Sequence, residues 1–159
     1  IKMSDPCEEA RAGLENATNV RIQVQWELSQ ENDLLDEYKS DMEGAASEQA
    51  RAASAMRSAG EVKTNAAEKL RYKQQLLADD PNDTWKKADV REAKGELASA
   101  KRAYETARAR ATDAKTTHSH FKRKYENKKA YVKEKKNYWN RLTRSMNSWQ
   151  SKVNRHCKS

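Results

Sequence analysis

The chain has 159 residues, with 32 Lys and Arg against 24 Asp and Glu, a formal net charge of +8, and it is 36% hydrophobic and 35% charged. That balance excludes a compact globule of this length, which needs more apolar residues to fill its core. Four Trp, six Tyr and ordered apolar spacing exclude a disordered coil, and the want of any run of about 18 apolar residues excludes a membrane-spanning helix.

Numbering opens at Ile1 without an initiator Met or an apolar leader, which fits a mature chain after signal-peptide removal and equally fits a piece cut from a longer chain. Asp5-Pro6-Cys7-Glu8 then reads as an N-cap Asp, a Pro at the first helical position and an acid at the third. Proline loses no hydrogen bond there, and acids face the positive end of the helix dipole. This predicts a first helix over 6–79. Its a positions are Leu14, Arg21, Leu28, Leu35, Met42, Gln49, Met56, Lys63, Leu70 and Leu77. Its d positions include Ala17, Val24, Glu31, Tyr38, Ala45, Ala52, Ala59 and Ala66. Gly44 and Gly60 interrupt it at roughly 1 kcal/mol each relative to Ala. A break at Gly44 would instead give a shorter three-helix bundle.

Asp80-Pro81-Asn82-Asp83 repeats the capping motif, so a turn is expected over 79–83 and a second helix over 81–157. In that helix Val90, Leu97, Tyr104, Ala111, His118, Tyr125, Val132, Trp139, Met146 and Val153 occupy a. Ala93, Ala100, Ala107, Ala114, Phe121, Lys128, Lys135, Leu142, Trp149 and His156 occupy d. The fold predicted for residues 1–159 is therefore all-α: one long antiparallel coiled-coil hairpin, with helices of roughly 110 Å at 1.5 Å per residue.

A turn near residues 81–82 fixes the register. It sets Leu14 beside Trp149, Val24 beside Trp139, Tyr38 beside Tyr125, Ala59 beside Tyr104 and Leu70 beside Ala93, so that large residues meet small ones. Glu31 falls between Lys128 and Lys135, where a salt bridge would help fix that register. Cys7 and Cys157 meet at the open end, predicting an intrachain disulfide and an oxidising, extracellular compartment. Charge agrees: residues 5–43 hold eleven acids and three bases, and residues 115–158 hold fourteen bases and two acids. Asn16-Ala17-Thr18 and Asn82-Asp83-Thr84 are N-glycosylation sequons, which would make Asn16 and Asn82 the acceptors of a glycoprotein.

Two surfaces stand out. The e positions of the second helix read Lys87, Lys94, Lys101, Arg108, Lys115, Lys122, Lys129 and Lys136. They would flank Ala46, Ala53, Gly60 and Ala67 and form a cationic rail of roughly 70–75 Å. Such a line suits solubility, or docking of an acidic protein or polyanion. Nucleic acid is disfavoured, since no zinc-finger, helix-turn-helix or RNA-binding pattern occurs. The g positions include Val20, Leu34, Val62, Leu76, Tyr131 and Tyr138, which either invite a second copy or cover the seam locally. Trp26 lies off the seam as well.

Nothing points to catalysis, a metal or a cofactor. His118 and His120 lie two residues apart, on different helix faces, and His156 beside Cys157 lacks a third catalytic partner. A two-helix seam is also narrower than the apolar face that lipid surfaces favour. The expected function is that of a secreted, non-enzymatic structural or assembly protein, a rod-like subunit that self-associates or docks an acidic partner. The alternative is a protein-ligand-binding module, a receptor ectodomain or secreted effector presenting a helical face.

Overall fold

The structure, a computed structural model, describes residues 5–157. Ile1, on which the reading of a processed amino terminus rests, lies outside them. Two helices make up the fold, α1 (Pro6–Asp79) and α2 (Thr84–His156), packed antiparallel as a coiled-coil hairpin that a Cys7–Cys157 disulfide closes.

The first cap forms as its motif predicts. Asp5 Oδ1 accepts from the Cys7 amide at 3.0 Å, and the Asp5 carbonyl accepts from the Glu9 amide at 3.0 Å. The second helix corrects the prediction, because it begins at Thr84 and not at Pro81. Asp83 is its cap, with Oδ1 accepting from the amides of Trp85 at 2.9 Å and Lys86 at 3.2 Å. Asp80 pairs instead with Lys86 at 3.6 Å, and its carbonyl accepts from the Asp83 amide at 3.2 Å. That bond closes a four-residue turn with Pro81 at its second position, where the fixed φ of proline fits as well as it does at a helix start.

No break occurs at Gly44. α1 runs unbroken for 74 residues, so the three-helix alternative does not form. The glycine weakens the helix locally, but Met42 and Ala45 continue the seam on either side of it, Ala45 with 8% exposure. Tertiary packing of the seam carries a helix through a single weak position.

Burial follows the heptads. From Val90 to Val153, every a and d residue of α2 is buried or half-buried, and of the rest only Thr143 is. The core is thin: its buried members are Ala10, Ala17, Val24, Ala45, Val90, Ala93, Ala100 and Val132. The described residues fall into two units, 5–40 with 122–157, and Asp41–Phe121.

In the first unit the Trp149 ring packs flat over Gly13, where a Cβ would lie 2.5 Å from the ring. That is the layer expected from Leu14 and Trp149. The Arg21 guanidinium sits 4.3 Å from the centre of the Trp139 ring, and its Nε donates to Thr143 Oγ1 at 2.8 Å. Lys124 lies over Tyr38 at 4.5 Å, one residue from the predicted Tyr38–Tyr125 layer. In the second unit Gly60 faces the Tyr104 ring, next to the predicted Ala59 layer. Lys69 pairs with Glu96 at 3.0 Å and Lys73 with Asp89 at 3.5 Å, in the same register.

Candidate interaction faces

In an antiparallel pair the e positions of both helices flank one side of the seam and the g positions flank the other. These two sides are the candidate functional surfaces. Among the described residues no group of three or more His, Cys, Asp or Glu is placed to hold a metal ion, and no helix is long and apolar enough to cross a membrane. His118 is half-buried on the seam, while His120 is exposed with its ring edge-on to Phe121. Cys157 is held in the disulfide, so His156 has no neighbouring thiol to activate.

On the e side, all eight predicted rail residues are exposed. Among the described residues none of them forms an ion pair. The reason lies in the opposite helix: in the second unit its Ala46, Ala53, Gly60 and Ala67 are half-buried and carry no charge, and in the first unit its e positions are Gln25, Asn32 and Lys39, none of them acidic. In the second unit this side also opens a groove of about 760 Å³ that the heptad pattern alone did not reveal. Arg57, Gly60, Glu61, Lys63 and Tyr104 contribute to its lining, and the Lys63 ammonium sits 4.6 Å from the centre of the Tyr104 ring. The signal that could have found it is the pairing of a glycine with a tyrosine one residue from a predicted layer. A missing side chain opposite a large ring leaves a hollow.

The g side is more occupied than its sequence suggests. Val20 and Leu76 are half-buried, while Leu34 is 37% exposed and Val62 58%. Tyr131 and Tyr138 are 46% and 41% exposed, yet both have local work. Lys128 and Lys135 lie 5.1 Å and 5.5 Å from the centre of the Tyr131 ring, and Arg141 lies 5.6 Å from that of Tyr138. The Tyr131 contacts cover two polar layers of the seam. Lys128 pairs with Glu31 at 2.8 Å, and Lys135 pairs with Glu27 at 2.7 Å. Glu31 thus takes one of its two candidate lysines. The other finds Glu27, whose role the heptad pattern did not show because it lies at g.

The hydrogen bond from Lys135 holds the Glu27 carboxyl below its ordinary value, with a second bond from Gln23 acting the same way. A carboxyl depressed in the folded state stabilises the protein above the ordinary glutamate range, and that contribution is lost as pH falls through the folded value. The bonds to Glu96, Glu31 and Glu27 raise Lys69, Lys128 and Lys135 respectively. Their contribution is complete below the ordinary lysine value, about 10.4, and is lost as pH rises through the folded values. Glu27→Gln is expected to flatten part of the acid limb of stability in urea titrations between about pH 3 and 6. An acid limb identical to that of the parent protein would remove Glu27 from the account.

Other exposed groups are less connected. Ile22 and Trp26, one helical turn apart, are 57% and 61% exposed, and Trp85 near the turn is 83% exposed. Asn16 is exposed on α1 and Asn82 is exposed in the turn, so both sequon asparagines are accessible. No family model, curated protein or solved structure matches the chain, and function must be read from these faces.

Proposed function

We propose that the hairpin is a non-catalytic binding protein of an oxidising, extracellular compartment, and that its cationic e side docks an acidic partner. The observation that carries this reading is that, within the second unit, Lys87, Lys94, Lys101, Arg108 and Lys115 are exposed at heptad spacing with no ion pair among the described residues. A charge meant to hold the hairpin together would face a carboxylate, as Lys69 faces Glu96. Lys94, Lys101, Arg108 and Lys115 face solvent beside the uncharged Ala46, Ala53, Gly60 and Ala67 of α1. Unneutralised charge of one sign attracts and steers an oppositely charged partner. The intrachain disulfide supports the compartment, since such bonds persist where the surroundings are oxidising.

The g-side residues are a weaker basis for self-assembly, because Tyr131 already packs on the lysines of two charged layers and Tyr138 on Arg141. Ile22 and Trp26 favour a second reading, contact with a protein ligand, because an exposed Trp beside an aliphatic residue is a common anchor. The primary test is binding to acidic polymers of different chemistry at low salt. Affinity should fall steeply as salt rises. The triple change Lys94→Gln, Lys101→Gln, Lys115→Gln should shallow that dependence by about three charges' worth. No binding to any acidic polymer at about 50 mM salt would sink the reading.

A further inference from the structure

Within the second unit the e side carries a groove where Gly60 sets no side chain of its own against the edge of the Tyr104 ring. Lys63 and Arg57 border it from α1. From α2, Lys101 lies three residues before Tyr104 and Arg108 four residues after it, so both share the helix face of that ring. Glu61 in the lining and Glu105 beside Tyr104 are the acids nearby, leaving four cations against two carboxylates.

We propose that this groove is the central subsite for a linear sulfated glycan of the glycosaminoglycan class, a proposal that rests on the acidic-partner reading above. Three observations select that occupant among polyanions. First, the exposed large hydrophobic residues of this unit are Val62, Tyr72 and Trp85, and their heptad positions, g, c and c, put none on the e side. A folded acidic protein would find no apolar anchor there. Second, a single nucleic-acid strand is held by base stacking on open aromatic faces as well as by charge. The aromatic ring in the groove already carries the Lys63 ammonium, so the stacking platforms of single-strand binders are not built. Third, four of the five e-position cations over 87–115 (Lys87, Lys94, Lys101, Arg108 and Lys115) are lysines, compact point charges that suit sulfates without demanding planar, two-pronged recognition.

The Gly60 hollow adds shape to charge. A Cβ there would meet Tyr104 at 3.5 Å, an ordinary contact, so the position accepts a side chain without strain, and a larger one fills the hollow. The glycine therefore keeps open a recess between cations, with Ala53 and Ala67 at the neighbouring e positions.

The test is calorimetric titration of the full, disulfide-closed chain with a heparin-derived octasaccharide. Its desulfated counterpart, poly-L-glutamate and a single-stranded oligodeoxynucleotide of matched charge serve as comparisons. The sulfated sugar should bind most tightly and lose about tenfold or more on desulfation. Lys101→Glu with Arg108→Glu should weaken it by about tenfold or more, whereas Arg102→Glu with Arg110→Glu, an equal charge change off the e side, should cost far less. Gly60→Leu should weaken the sugar while circular dichroism shows an unchanged helix content. Equal losses from the two charge-reversal pairs, or an unchanged affinity in Gly60→Leu, would overturn the subsite. Tighter binding of polyglutamate or the oligonucleotide would overturn the glycan assignment and leave the acidic-partner reading standing. Failure of all four to bind the parent chain would remove both.

Discussion

Cys7→Ser, or its counterpart Cys157→Ser, is expected to lower the melting temperature by roughly 10–20 °C. The disulfide joins residues 150 apart in sequence. In the chain-entropy model, closing a loop of that size restricts the unfolded chain by on the order of 4–5 kcal/mol. A helical pair is more exposed to this loss than a globule, because its core is thin. The buried residues are alanines and valines, and among the described residues no large side chain is fully buried. The Cα atoms of the two cysteines lie 5.0 Å apart, within the ordinary range, so the native state can hold the bond without displacing the helices. Thermal unfolding followed by circular dichroism, with and without reductant, checks the point. Reductant should shift the parent protein and leave Cys7→Ser where it is. A shift under about 3 °C in both would mean that the unfolded chain is already held together by other contacts.

The second large effect is a reversal of sign within one helix. Gly44→Ala should stabilise the protein by about 1 kcal/mol, because the new methyl meets nothing within 4 Å and the helix loses a flexible residue. Gly13→Ala gains the same backbone advantage, but its Cβ would stand 2.5 Å from Cδ2 of Trp149 and 2.6 Å from two further ring atoms. The ring must turn or the helices must separate there. Overpacking of that kind costs about 1–3 kcal/mol, enough to outweigh the propensity gain. Pairing Gly13→Ala with Trp149→Leu should recover part of the loss, since the two sites share one contact. Urea unfolding of the four proteins reads the result. A stabilised Gly13→Ala would show that Trp149 does not pack against α1 in solution.

The seam was legible in the sequence because its repeat never slips. From Val90 to Val153 each heptad places a and d residues of α2 where the fold needs cover, and the intruding polar residues Lys128 and Lys135 keep the phase. The cysteine pair was legible for the same reason, since one register fixes every partner at once. What the sequence left open were choices between near equivalents. Asp80 and Asp83 are both capable caps three residues apart, and the difference lay in whether Pro81 opens a helix or a turn. Lys128 and Lys135 stand one heptad apart, one on either side of the Glu31 layer, and the second went to Glu27 once the first was taken. The e-side cations could be named individually, but the hollow among them could not. It depends on what Gly60 lacks as much as on what Tyr104 supplies. Gly13 carries no message alone, and its meaning comes from a tryptophan 136 positions further along the chain.

The Cys7–Cys157 bond also decides how the molecule answers a pull. Tension that enters through the backbone before Cys7 and leaves after Cys157 passes from one sulfur to the other. The stretch of chain between them carries none of it. Helix packing that would unzip layer by layer under load is thus mechanically bypassed, and the hairpin behaves toward such a force as a link a few ångströms long. Only reduction would place both helices in series with the load.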